Sequence, residues 1–246
     1  LTDARRPTLK TDHEFDLCGV SVIAGHDSVL YLPLNETLIV SDMHFEKGSA
    51  YAARGQMLPP YDTRQTLRNL RAAVERLSPR RVVALGDSFH DLGADKRMDR
   101  DDAEALLDLV GSVEAWVWIE GNHDPAPPPE FGGEVCETLA LEPFLLRHEP
   151  TEGVAPGEIA GHLHPCAKVR GRGRSVRSRC FATDGQRLVM PAFGAFTGGL
   201  NIRDDAFLRC FGTTPDALVM GQTRVHAVPA RHVVGDRVRR SVARSG

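Results

Sequence analysis

Four unbroken apolar runs punctuate the first two thirds of the chain: Thr37–Val40, Arg81–Leu85, Ala115–Ile119 and Glu158–Gly161. None shows the alternation of a half-exposed strand, so each predicts a strand buried on both faces. Each is followed within a residue or two by polar side chains. Asp42 and His44 follow the first, Gly86-Asp87 the second, Gly121 to Asp124 the third, and His162 and His164 the fourth. Loops past the C-terminal ends of such strands are where an α/β sheet converges on a ligand.

Helical periodicity fills the intervals. Leu67, Leu70, Val74 and Leu77 recur at three- and four-residue spacing, with Asp62 as the expected N-cap after Pro59-Pro60 and Pro79 as the stop. A second helix is expected over 101–110, turning Ala103, Leu106, Leu107 and Val110 inward. Strand and helix in alternation predict an α/β layered fold. Beyond His164 the pattern becomes strand-rich. Asp184-Gly185 between 179–183 and 186–190 reads as a hairpin, and 217–228 as a further strand pair. The chain is expected to form one domain over residues 1–230, with a basic, mobile tail over 231–246. No internal repeat is present.

Composition narrows the class. The 246 residues are 41% hydrophobic and 26% charged, enough for one sizeable core. Aromatic residues are only 6%, which argues against stacking as the main mode of recognition. The net charge of −3 hides a local excess: Lys168, Arg170, Arg172, Arg174, Arg177 and Arg179 lie together with no acid among them. Five cysteines include no C-x-x-C pair, so a disulfide framework is not expected. No apolar run approaches the ~20 residues of a membrane helix. The chain reads as a soluble cytoplasmic protein with no membrane partner.

The candidate chemistry is an ordered set: Asp42-Met43-His44, Gly86-Asp87, Gly121-Asn122-His123-Asp124, His148, and Gly161-His162-Leu163-His164. Carboxylate, amide and imidazole donors of this kind are what a two-metal hydrolytic centre needs. In this order the motifs resemble the calcineurin-like metallophosphoesterase superfamily over residues 38–164. That resemblance implies an αββα sandwich, two mixed sheets flanked by helices, with metals at the strand C-terminal ends. It implies that Asp42, His44 and His164 hold one divalent ion, that Asn122, His148 and His162 hold a second, and that Asp87 bridges them. The chemistry agrees, because two bridged cations acidify water and stabilise charge growing on a phosphoryl group. His123 is then placed to protonate the leaving oxygen, with Asp124 orienting its ring.

The segments 41–64 and 191–200 are similar to a narrower group, the bacterial ligase-associated DNA damage response phosphoesterases. This likeness implies a Mn-supported endonuclease or phosphodiesterase acting on DNA, single-stranded in the first instance, beside a DNA ligase and a helicase. Fe or Zn would also suit the donors. His90, Lys168, Arg170, Arg172 and Arg174 are candidate substrate contacts, the basic residues as a loop gripping backbone phosphates near the metals. A phosphoesterase acting on nucleotides or other small esters, and a non-catalytic metal-binding scaffold, are the competing readings. Complete donor motifs and a retained His123 count against the scaffold.

Overall fold

Each expected apolar run is a strand, and its neighbours explain why it is apolar on both faces. The computed structural model describes residues 11–56, 61–171 and 173–236. One sheet has seven strands in chain order: β1 (His13–Leu17), β2 (Val20–Ala24), β3 (Leu30–Leu32), β4 (Thr37–Val40), β5 (Arg81–Leu85), β6 (Ala115–Ile119) and β7 (Glu134–Cys136). Strands β1 to β4 form an antiparallel meander, and β4 to β7 are parallel.

The second sheet has nine strands. They are β8 (Thr138–Leu141), β9 (Phe144–Arg147), β10 (Glu158–Ala160), β11 (Pro165–Arg170), β12 (Ser175–Thr183), β13 (Leu188–Val189), β14 (Leu200–Asn201), β15 (Asp216–Met220) and β16 (Val225–Val228). Its main path runs β14-β11-β12-β13-β10-β9-β8, and the β15–β16 pair joins at β12. Both expected hairpins are present, with Thr183 opposite Leu188 and Met220 opposite Val225.

Within β4 and β5 the period of two survives inside the apolar run. Ile39, Val83 and Leu85 point between the sheets, against Phe144, Leu146, Ile159, Phe181 and Leu218. Leu38, Val40, Val82 and Ala84 point outward, under two helices, α2 (Asp62–Leu77) and α4 (Arg100–Gly111). Across the second sheet, Phe207 of a seven-residue helix (Asp205–Phe211) covers Ala182, Val189 and Ala217. Helix, sheet, sheet and helix thus stack in four layers, the expected αββα sandwich.

Three local expectations are corrected. Asp62 is the first residue of α2 rather than its cap, and its carboxylate instead accepts the Gly48 N–H at 2.7 Å. In α4 the buried stripe runs through Leu106 and Leu109, leaving Leu107 44% exposed. The helix begins at Arg100, capped by the Asp99 carboxylate on the Asp101 N–H, so its packed face lies nearer 102–106–109. Finally, residues 231–236 are not tail. The short β14 covers only Pro165 and Cys166 of the β11 edge, and Val233 bridges Val169 beyond it. Val233 is buried, and the Val234 N–H bonds the Lys168 carbonyl at 2.8 Å. The rest of the expected tail, 237–246, lies outside the described residues. No helix among the described residues is long and apolar enough to cross a membrane.

Candidate metal centre

The four motif loops and His148 meet at one edge of the sandwich, and their backbones are bent to do so. Asp42, His44, Asp87, His162 and His164 all have positive φ, between 46° and 67°. Side-chain-bearing residues avoid this region, and when they occupy it they cluster where function demands the geometry. The loops are cross-braced: Asp42 N–H bonds the Gly86 carbonyl at 3.2 Å and His44 N–H the Asp87 carbonyl at 2.9 Å. Gly86, at φ +78°, has no room for a side chain because a Cβ would lie on the His148 ring.

Two donor groups result. Asp42, His44 and His164 bring ligand atoms within 4.8 Å of one another, and so do Asp87, His148 and His162. His164 Nε2 lies 3.0 Å from Asp42 Oδ1. His148 Nε2 lies 3.3 Å from Asp87 Oδ1, 3.3 Å from His162 Nδ1 and 3.0 Å from Asn122 Oδ1. Asp87 faces both groups, since its Oδ2 is 3.8 Å from His44 Nε2. The structure thus brings Asp42, His44, Asp87, Asn122, His148, His162 and His164 together, with Asp87 between the two groups.

The donor set fits divalent ions on its own chemistry. Both ring nitrogens of His44 are buried without a hydrogen-bond partner. Such atoms are costly unless something binds them. Burial is the main reason that the His44 imidazole is pushed down to about 3, so it is neutral and its lone pair is free to bind a cation. His148 behaves oppositely. Burial alone would lower it, but the hydrogen bond to Asp87 and the charges of Asp42 and Asp87 raise it to about 9. Its Nδ1 lies 3.0 Å from the Leu85 carbonyl, which accepts the proton there and directs Nε2 at the centre. In the metal-free chain a proton on Nε2 holds the surrounding acceptors together, in the place a cation would take.

His123 sits at the mouth, its side chain 42% exposed, with Nε2 turned 4.0 Å from Asp87 Oδ2. Its ring is not oriented by Asp124, contrary to the sequence expectation. The His90 carbonyl accepts from Nδ1 at 2.9 Å, and the His90 ring stacks on it at 5.3 Å. Asp124 is buried and accepts the Ser88 and Phe89 amides at 2.8 and 3.0 Å, which fixes the loop carrying Asp87. Backbone carbonyls and amides have no signature in side-chain identity, so this division of labour was not readable from the motif. His90 itself is nearly buried between His123 and Tyr51. With His44 and His123 it forms a third close group of imidazoles.

Sequence reasoning missed Ser41, whose hydroxyl donates to Asp42 Oδ2 at 2.5 Å. The 191–199 segment packs closely beside the site, as its glycines suggest. Phe193 and Gly194 amides bond the Ser41 and Asp42 carbonyls at 2.7 and 3.1 Å. A Cβ at Gly194 would strike the Met43 carbonyl, so the glycine permits the approach. Arg179 then locks the segment by donating to the Gly194 carbonyl and the Thr197 hydroxyl at 2.7 and 2.9 Å.

The basic run is not a loop over the metals. Residues 165–170 and 175–183 pair as the β11–β12 hairpin, with Lys168 opposite Arg177. Lys168, Arg170 and Arg174 lie toward its far end, and Arg172 is outside the described residues.

The αββα layering and the paired donor groups are of metallophosphoesterase type, the arrangement of a metal-dependent hydrolase. The solved structure of the Pseudomonas putida nuclease MPE is similar over 89% of this chain and 100% of its own, at 27% identity and a TM-score of 0.68. YfcE, a phosphoesterase from E. coli, aligns over 79% of this chain and 98% of its own, at 15% identity and a TM-score of 0.39. No family model and no curated protein sequence matches the chain.

Proposed function

We propose that this chain is a two-metal phosphodiesterase that cleaves DNA as an endonuclease, with Mn as its ion, in cytoplasmic DNA repair beside a ligase and a helicase. The observation that carries the hydrolytic part is the convergence of the Asp42 and Asp87 carboxylates on the buried, unpartnered ring of His44, with His148, His162 and His164 beside them. Similarity to a nuclease along nearly the whole chain supports the choice of substrate. The repair setting and the ion rest on the resemblance of segments 41–64 and 191–200.

When bound, the ions supply Lewis acidity at the phosphoryl oxygens and lower the pKa of water. The chain's own groups do the rest. Asp42, His44 and His164 would hold one ion and Asn122, His148 and His162 the other, with Asp87 available to both. His123 carries or yields a proton at Nε2, where a leaving oxygen would emerge, while the His90 carbonyl fixes the ring through Nδ1. Ser41 and the Leu85 carbonyl hold Asp42 and His148 in register.

The test is cleavage of closed circular single-stranded DNA with Mn, alongside bis-p-nitrophenyl phosphate, using Asp87→Asn as control. Nicking of the circle that disappears in the variant is the expected result. Hydrolysis of the ester without DNA cleavage would replace the nuclease reading with a small-molecule phosphodiesterase. His123→Ala should slow DNA cleavage about 10²–10⁴-fold, the usual contribution of a general acid. The p-nitrophenyl ester, whose leaving group needs little protonation, should lose far less; equal losses would remove His123 from that role.

A further inference from the structure

The basic run divides into two populations once folded. Arg177 donates to the Gly199 carbonyl and pairs with Asp236 at 3.3 Å, and Arg179 is spent on the 194–197 segment. These two hold structure. Arg170 and Arg174 are exposed, at the tip of the β11–β12 hairpin, and have no ion pair among the described residues. With Lys168, Gly171, Gly173, Ser175, Val234 and Gly235 they line a cavity of about 590 Å³. Asp236 is the acid facing this wall, 3.9 Å from Lys168, and it is shared with Arg177. The cavity therefore keeps a positive surplus at its outer rim.

Distance gives the cavity its meaning. His164, in the metal centre, immediately precedes β11, and the strand runs directly away from it. At ~3.3 Å per residue, Lys168 lies roughly 13 Å and Arg170 roughly 20 Å from His164. A nucleic-acid strand advances ~3.4 Å of axis per nucleotide in a duplex, so this span corresponds to about four to six nucleotides.

We propose that the cavity at the hairpin tip is an exosite for the phosphate backbone of a nucleic-acid strand whose scissile bond lies at the metals. This rests on the reading of the chain as a nuclease and adds a substrate-length requirement to it. The site binds backbone phosphates without reading bases, since its donors are guanidinium and ammonium groups on an open wall. Segments too short to reach from the metals to Arg170 are held by the metal centre alone. Longer ones gain the second contact as an intramolecular event.

The test compares the wild type, Arg170→Ser/Arg174→Ser, and Arg100→Ser. Arg100 is an exposed arginine on α4, and its variant gives the effect of losing one surface charge away from the hairpin. Fluorescence anisotropy with single-stranded oligonucleotides of about 3, 6 and 12 nucleotides is read across a salt series, with bis-p-nitrophenyl phosphate hydrolysis in parallel. The wild type should gain about tenfold in affinity between the shortest and longest strands. The double variant should lose that gain, and its log–log salt slope should fall by about 1.4, at ~0.7 for each single-strand phosphate contact removed. A wild type without length dependence, or a double variant that matches Arg100→Ser, would overturn the exosite. Length-dependent binding without ester hydrolysis would instead leave the exosite standing and sink the catalytic reading.

Discussion

Two buried polar clusters in this molecule look alike in composition and differ in completeness. In one, the buried Arg187 guanidinium meets Glu158, and its two terminal nitrogens donate to the carbonyls of Thr151, Gly153 and Cys210, while Nε has no partner. Glu158 also accepts the Thr151 amide and hydroxyl, the latter at 2.7 Å. In the other, the metal centre, several inward-facing atoms, both nitrogens of His44 among them, are buried without a hydrogen-bond partner. In the first cluster the chain itself supplies the opposite charge, and the contacts tie β10 to the loop before it and to the helix over the second sheet. The second is finished only by something the chain binds. Partnered buried charge marks architecture, and unpartnered buried charge on strained loops marks a site.

The strongest way to break this comparison is to open the finished cluster. Arg187→Met should cost roughly 3–5 kcal/mol, because it strands the Glu158 carboxylate in the interior. Urea unfolding would measure this, and Mn affinity measured beside it should be unchanged. A parallel fall in Mn affinity would mean the clusters are coupled.

Next in size is Asp87→Asn. It should fold normally and lose about 10²–10³-fold or more in turnover, the cost of removing one preorganised electrostatic group. Its metal stoichiometry should fall, as read by calorimetry; undiminished Mn turnover would dissolve the bridging role.

Metal addition comes third. Mn at a hundred times its dissociation constant should add about 2.7 kcal/mol per site to unfolding stability. The increment depends on pH through His148. Its folded value of about 9 lies above the unfolded one, so in the metal-free chain its contribution is full below pH ~6.5 and fades as pH rises through 9. Metal needs that proton gone, so the Mn increment should grow over the same range, with proton release on binding. Calorimetry in buffers of different ionisation enthalpy would detect the proton, and a pH-independent increment would contradict the assignment.

The smallest effect concerns Asp124, which burial, followed by the charge of Asp87, raises to about 7 despite its two amide hydrogen bonds. For an acid raised on folding, stability is lost as pH climbs from the unfolded value near 4 toward 7. Asp124→Asn should remove that slope in the metal-free protein at a cost of about 1 kcal/mol, that of one weakened hydrogen bond. A slope unchanged in the variant would place its origin elsewhere.

Much of the site was legible in the chain because its signals are local. Asp42 and His44, Asp87, Asn122 and His162 all follow buried strands directly, so residue order alone carries them to one edge. His148 was harder: it ends no motif, and only its place in the ordered set marked it. Roles carried by main-chain atoms were invisible, as the His90 carbonyl behind His123 and the amides held by Asp124 show. Leu107 and Leu109 exchanged places because the face of an amphipathic helix can rotate by a residue or two at little cost until its partner is known.

The sequence by itself determined the layered α/β class, the strand ends that carry function, and the oxygen and imidazole character of the ligands. These follow from short-range periodicity and from what each side chain can coordinate. Only the tertiary structure decided how the donors group in space, which arginines hold structure and which face solvent, and that residues 231–236 pack along β11. Those outcomes depend on sheet pairing between distant segments, such as β11 with β12 and Val233 against Val169. Pairing of that kind depends on the whole packed fold, which no local pattern in the chain encodes.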